Sequence, residues 1–172
     1  LAYFGMHKLD ATLDYYLKAK EIYEKVGSEQ DKSDILLNIA GVYTRLSRYE
    51  NAMSIYQNVL KIFRKLDDNL GIALVHNNMG VVYFESNQLD LAVHYYQLAT
   101  RYYLSVNDVN KLATQYTNLA NANIILNKVE LAYEQAQLAI EYSLKIDNKN
   151  LELTALQTLA KVQLVRGMLD EA

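Results

Sequence analysis

Three asparagines stand at equal intervals along the chain: Asn38, Asn78 and Asn118 are 40 residues apart. A carboxamide carries both donors and an acceptor, so a row of them can hold the main chain of an extended polypeptide without reading its side chains. Asparagine is also a poor residue for a helix interior, so its return at one register needs a reason. Two reasons are available, and both can hold at once: a ligand, or side-chain bonds that tie neighbouring repeats together. The other polar groups are scattered. His7, His76 and His94 form no pair at i, i+4 spacing, and His76 stands where a core Leu or aromatic belongs. Asp67-Asp68 falls in a turn, where Asp is expected anyway. The doublets Tyr15-Tyr16, Tyr95-Tyr96 and Tyr102-Tyr103 each put one ring on an apolar stripe and have no basic groove beside them, so core packing is favoured over base stacking. There is no nucleophile elbow, phosphate loop or dinucleotide-binding glycine pattern. The chain is therefore read as no enzyme, with no cofactor and no metal site.

The elements that must position the asparagines follow the same beat. Thr12, Ala52, Ala92, Ala132 and Ala172 are each 40 apart, preceded by Leu9-Asp10, Tyr49-Glu50, Leu89-Asp90, Val129-Glu130 and Leu169-Asp170. A fixed period of this length marks a solenoid whose units bury their apolar faces against one another. Leu89, Ala92, Val93, Tyr96, Ala99, Tyr103 and Val106 recur at three-and-four spacing, the stripe of an amphipathic helix. The preceding helix carries Ala73, His76, Met79, Gly80, Tyr83 and Phe84 on its inner side. Ser47, Asn87, Asn127 and Gly167 form a column of helix C-terminal caps, since Gly and Asn tolerate the left-handed backbone there. A second turn column, Gly27, Asp67, Asn107 and Asp147, marks the joints between units. The spacing predicts a partial helix at 1–6 and helices near 8–26, 33–46, 49–66, 70–86, 89–106, 110–126, 129–146 and 150–166, with another starting at Leu169.

Bulk properties agree with a helical array. The 172 residues include no proline, which favours uninterrupted helices. The formal net charge of -3 argues against nucleic acid, whose partners carry a basic face. No apolar run reaches the roughly 18–20 residues that cross a bilayer, so no direct membrane insertion is expected of this segment. The absence of cysteine removes disulfides and thiolate sites and leaves the compartment open; a cytoplasmic location is favoured, with a periplasmic sensor domain as the alternative.

Within the beat, Met79-Gly80-Val81-Val82-Tyr83 followed by Ala92, Tyr96 and Ala99 resembles the tetratricopeptide repeat, a Leu-Gly pair and an aromatic followed by Ala, aromatic and Ala. Ile39-Ala40-Val42-Tyr43 with Ala52, Tyr56 and Val59 repeats the pattern, and Leu119-Ala120 with Ala132, Ala136 and Ala139 repeats it more weakly. Tyr3, Tyr16 and Ala19 close a truncated first copy, while Leu159-Ala160 with Ala172 begins a fifth. The small residues Ala40, Gly80, Ala120 and Ala160 let two helices approach, with Tyr83 and Tyr96 filling the space beside them. The departures are a period of 40 instead of 34, loss of the opening Trp to Leu36, His76, Tyr116 and Leu156, and loss of the closing Pro. HEAT and armadillo arrays also run near 40 residues but lack this order of columns. The long, proline-free form is similar to repeats of bacterial peptide-pheromone receptors, cell-polarity scaffolds and the sensor halves of histidine kinases and diguanylate cyclases.

The resemblance implies an all-α, right-handed superhelical solenoid of antiparallel helix hairpins. One domain spans 1–172, with a partial repeat at 1–32, repeats at 33–72, 73–112 and 113–152, and a partial repeat at 153–172; neither end carries a polar cap, as in an excerpt of a longer array. The first helix of each hairpin lines the concave face in such stacks, and in the peptide receptors asparagines on this face hold peptide backbone. The expected ligand-binding residues are Leu37, Asn38, Arg45, Asn77, Asn78, Val81, Phe84, Glu85, Asn118 and Asn121, with Asp34, Gly41, Thr117, Gln157, Thr158 and Lys161 as neighbours. A carboxylate clamp for chaperone tails is disfavoured, because Leu37, Asn77, Thr117 and Gln157 occupy the register of its first Lys. The expected role is a protein- or peptide-binding scaffold or sensor within a larger signalling protein. The alternatives are self-association through the uncapped ends, giving a homo-oligomer, or a regulatory arm of a fused kinase or cyclase.

Overall fold

The computed structural model describes residues 2–170, with side chains described for 8–167. Those residues form eight helices in chain order: α1 (Ala2–Val26), α2 (Glu29–Arg45), α3 (Tyr49–Lys65), α4 (Asn69–Glu85), α5 (Leu89–Ser105), α6 (Val109–Ile125), α7 (Val129–Lys145) and α8 (Lys149–Asp170). Each packs on its sequence neighbours, and α6 also meets α8, so the pairs α2/α3, α4/α5 and α6/α7 stack as antiparallel hairpins of a solenoid.

Two kinds of helix alternate, and their first residues tell them apart. The first helix of each hairpin has a side-chain cap. Ser28 and Asp31 form a reciprocal capping box, with Ser28 Oγ accepting from Asp31 N at 3.2 Å and the Asp31 carboxylate accepting from Ser28 N at 2.9 Å. Asp68 accepts from Gly71 N at 2.9 Å, Asp108 from Lys111 N at 3.1 Å and Asn148 from Leu151 N at 3.2 Å. The second helices start at Arg48, Gln88 and Lys128 without such a bond and instead carry Glu50, Asp90 or Glu130 in the first turn, where the helix dipole favours negative charge.

All six turns from α2 to α8 contain a left-handed residue: three belong to the column expected to cap helices, and three to the joint column, whose first member Gly27 does not adopt this backbone. Ser47, Asn87 and Asn127 have φ of 57°, 60° and 57°, and Asp67, Asn107 and Asp147 have 53°, 54° and 49°. The residue after each closes the helix with a backbone bond to the carbonyl five residues back, as in Arg48 N to Tyr43 O and Gln88 N to Tyr83 O, both 2.8 Å. The expectation fails at the two outer positions. The helix expected to start at Leu169 is absent, because α8 runs unbroken through Gly167 to Asp170. Glycine permits the left-handed turn without requiring it; at the other turns a returning helix packs against its partner and holds the reversal. Helices 1–6 and 8–26 are likewise one element, α1. Position 7, in the register of Ser47, is none of the Ser, Asn or Gly found at the other cap positions, so the sequence supplies no turn former there. Ala172 and the side chain of Tyr3 lie outside the described residues.

The core explains the small-residue column. Ala40 and Ala120 are fully buried, and Gly80 lies under the ring of Tyr96, where an added Cβ would stand 2.6 Å from two ring carbons. In the next hairpin the same pair is Ala120 and Ala136, both fully buried. Ala160 is exposed, since among the described residues no second helix covers that side of α8. One tyrosine of each doublet in α5 is buried, Tyr96 and Tyr103, while Val106 at the helix end is exposed rather than on the core stripe. His76 is buried as a packing residue, with ring centroids 5.8 Å from both Tyr95 and Tyr102.

Candidate binding groove

The first helices α2, α4, α6 and α8 line one face of the stack, and two adjoining concavities open along it. The first, about 670 Å³, is bounded by Asp34, Leu37, Asn38, Gly41 and Arg45 of α2 and Leu74, Asn78 and Val81 of α4, and Leu9, Thr12 and Tyr16 of α1 close one end. The second, about 520 Å³, is bounded by Val81, Phe84 and Glu85 of α4, Asn118, Asn121, Ile124 and Ile125 of α6, Tyr96 of α5 and Lys161 of α8. Val81 belongs to both and forms the ridge between them.

Nine of the ten residues read from the sequence as ligand contacts line this groove: Leu37, Asn38, Arg45, Asn78 and Val81 in the first part, and Val81, Phe84, Glu85, Asn118 and Asn121 in the second. Asn77 is the exception. It is half-buried between α4 and α6, where its carbonyl accepts from Gln115 Nε2 at 2.7 Å and from Asn118 Nδ2 at 3.4 Å, while its own Nδ2 donates to Asn78 Oδ1 at 3.1 Å. Asn77 is one residue off the ladder's register and therefore turns toward the next repeat. Among the neighbours, Thr117 and Thr158 are buried and donate to the carbonyls of Ala113 and Thr154, so the ladder has three rungs, not four. Gln157 is exposed but borders neither concavity.

The groove is apolar in the middle and charged at its edges. Asp34 lies in the second turn of α2 and Arg45 is its last residue; Glu85 and Lys161 border the second part. Tyr96 lies at its floor, and burial together with the nearby Glu85 carboxylate pushes its phenol well above the ordinary range, so it stays neutral. Asn38 is exposed and makes no side-chain hydrogen bond, which leaves both faces of its amide free.

Residues 31–105 match the family model described as tetratricopeptide repeat. That stretch, from α2 through α5, belongs to the tetratricopeptide-repeat family. No curated protein sequence matches it significantly. Its fold is similar to that of a signal-transduction ATPase with numerous domains that carries a tetratricopeptide-repeat sensor, from Pyrococcus horikoshii, with TM-score 0.77, 21% identity, 92% of this chain and 25% of that one. It is also similar to the Rap conjugation gene regulator of the plasmid pLS20 in complex with the Phr* peptide, with TM-score 0.75, 20% identity, 99% of this chain and 49% of that one. A putative kinesin light chain of Podosopora anserina with nearly identical repeats gives TM-score 0.75 and 16% identity over 99% of this chain and 84% of that one. The chain thus spans a quarter of the ATPase and about half of the Rap regulator.

Several features of the site lie outside the sequence reading. The contribution of Leu9, Thr12 and Tyr16 comes from the preceding second helix, which the concave-face rule does not include. Gln115 is buried in a column otherwise occupied by Ile35, Val75 and Ala155. A polar residue in that apolar column, three before Asn118, is the signal that marks it. Asn123 and Gln135 replace Tyr83 and Tyr95 of the previous hairpin together: the tyrosines stack at 5.1 Å, whereas Asn123 Nδ2 donates to Gln135 Oε1 at 2.8 Å.

Proposed function

We propose that the array binds an extended peptide segment along its concave groove and serves as the recognition or sensor part of a signalling protein. The observation that carries this reading is the continuity of the two concavities across Val81, with a free amide at Asn38 and partly free amides at Asn78 and Asn118 along their length. An apolar trough with a few converging polar groups is the usual form of a ligand site. Main-chain bonds to the amides would supply affinity, while Leu37, Val81 and Phe84 would receive apolar side chains. The peptide complex of the Rap regulator, on a similar fold, supports the class of ligand. The charges at the edges favour a segment of mixed charge over a uniformly acidic or basic one.

The test is a selection of random-sequence peptides on the intact protein, followed by competition with a Val81→Arg variant. Val81 is half-buried on a helix surface, so a long side chain there can extend into the groove without entering the core. Peptides that bind the wild type and lose affinity at least tenfold for the variant support the reading. Peptides that bind both equally remove it.

A further inference from the structure

Resting on the groove reading above, we infer that Asn77 and Gln115, neither of which lines the groove, set which hydrogen-bonding group Asn78 and Asn118 turn toward a ligand. Asn77 Oδ1 accepts two bonds, from Gln115 Nε2 at 2.7 Å and Asn118 Nδ2 at 3.4 Å, which fills both of its lone pairs. Its amide nitrogen donates to Asn78 Oδ1 at 3.1 Å. Asn78 therefore has its carbonyl engaged and offers N–H donors to the first concavity. Asn118 has one N–H engaged and offers its carbonyl to the second. A ligand lying across Val81 meets a donor on one side of the ridge and an acceptor on the other. The best-matched ligand presents a main-chain carbonyl to the two unengaged N–H groups of Asn78 and a main-chain N–H to the unengaged carbonyl of Asn118.

The opposite polarity requires all the amides to turn over together. Asn77 would then donate to Gln115 and Asn118 and accept from Asn78. That state is disfavoured by Gln115, which is buried at 1% exposure and whose Oε1 has no hydrogen-bond partner. In the observed arrangement the unpaired group is a carbonyl oxygen. Turned over, Gln115 would bury its whole NH2 group there instead, and unpaired buried N–H groups are the rarer and costlier defect. The buried glutamine thus acts as a latch on the direction of the relay, and Asn38, with no bond to any neighbour, is free to follow the ligand. Asn77 and Gln115 are positioning residues for a site they do not touch.

Asn77→Asp tests the relay directly. A carboxylate still accepts from Gln115 and Asn118 but has no N–H to give, so Asn78 must turn over and present its carbonyl to the groove. Gln115→Met removes the latch with little change in volume. With a fluorescent peptide selected on the intact wild-type protein as the probe, each variant is expected to lose about tenfold in affinity, the size of one well-placed hydrogen bond. Side-chain amide exchange in the unliganded wild type gives a readout independent of folding defects. One proton of Asn77 is expected to be protected, and both protons of Asn78 are expected to exchange freely. Wild-type affinity in both variants, alongside weakened binding by Asn78→Ala, would overturn the relay and leave the groove reading standing. Free exchange at Asn77 with protection at Asn78 would overturn the stated polarity. Failure of every selected peptide to depend on Val81 would remove both readings.

Discussion

Gly80 offers a direct measure of how tightly the hairpins are packed. A methyl group added there would lie 2.6 Å from Cδ1 and Cε1 of Tyr96, about 1 Å inside ordinary carbon contact. Tyr96 is 3% exposed, so its ring has little room to move away. Two effects then oppose each other in Gly80→Ala. Replacing glycine inside a helix gains about 0.8–1 kcal/mol of propensity. Overpacking a full core costs typically 1–3 kcal/mol, and a buried aromatic ring against helix backbone belongs in the upper half of that range. The net expectation is destabilisation by about 1–2 kcal/mol, or roughly 2–8 °C in Tm for a chain of this size. Gly41, one position on from the equivalent column, has no atom within 4 Å of an added Cβ, so Gly41→Ala retains the gain alone and stabilises by about 0.5–1 kcal/mol. Urea midpoints of both variants check the difference. The pair Gly80→Ala with Tyr96→Ala recreates the Ala120 and Ala136 arrangement of the next hairpin, and in that background the cost of Gly80→Ala should vanish. Destabilisation that persists without the Tyr96 ring, or a stabilising Gly80→Ala in the wild type, would refute the packing argument.

Two further outcomes follow from the buried polar groups. Burial, with Arg64 and His94 nearby, holds the His76 imidazole down from 6.5 to about 4, so the unfolded chain binds the extra proton between those values. The associated stability is complete above about pH 6.5 and is lost as pH falls toward 4, by roughly 2–3 kcal/mol at pH 4.5; thermal melts of wild type and His76→Phe across this window should converge in slope only if another group is responsible. For the Asn123 and Gln135 pair, Gln135→Leu alone should cost about 1–3 kcal/mol by stranding the Asn123 amide, which already has one unpaired oxygen, whereas Asn123→Leu with Gln135→Leu should recover most of that loss. Equal stability of the single and double variants in urea would contradict it.

The period of 40 made most of the fold legible because each repeated column has a local cause. Asn87 and Asn127 tolerate the left-handed turn, and Gly80 admits Tyr96. Where only one cause was present, the reading overreached. Gly167 carries the permissive residue but no turn, because in the described residues no returning helix packs there to hold one. The groove face was legible for the same reason, since Asn38, Asn78 and Asn118 share one register on successive first helices. Asn77 was not, because a shift of one residue rotates a side chain by about 100° around a helix and carries it from the open face to the repeat interface. The Asn77–Gln115 bond joins residues 38 apart, and no local pattern in either helix announces it. Likewise, the exchange of the Tyr83–Tyr95 stack for an Asn123–Gln135 bond shows only when both columns are compared at once.

The central claim is that the concave amides hold a ligand and do not merely fasten the stack. The most direct measurement is titration calorimetry of a selected peptide against wild type and Asn38→Ala plus Asn78→Ala, with melting of the same samples. The account predicts affinity reduced at least tenfold with Tm shifted by no more than about 3 °C, since Asn38 makes no bond within the protein and Asn78 only one. Unchanged affinity together with a large fall in Tm would contradict it and assign the ladder to the stack alone.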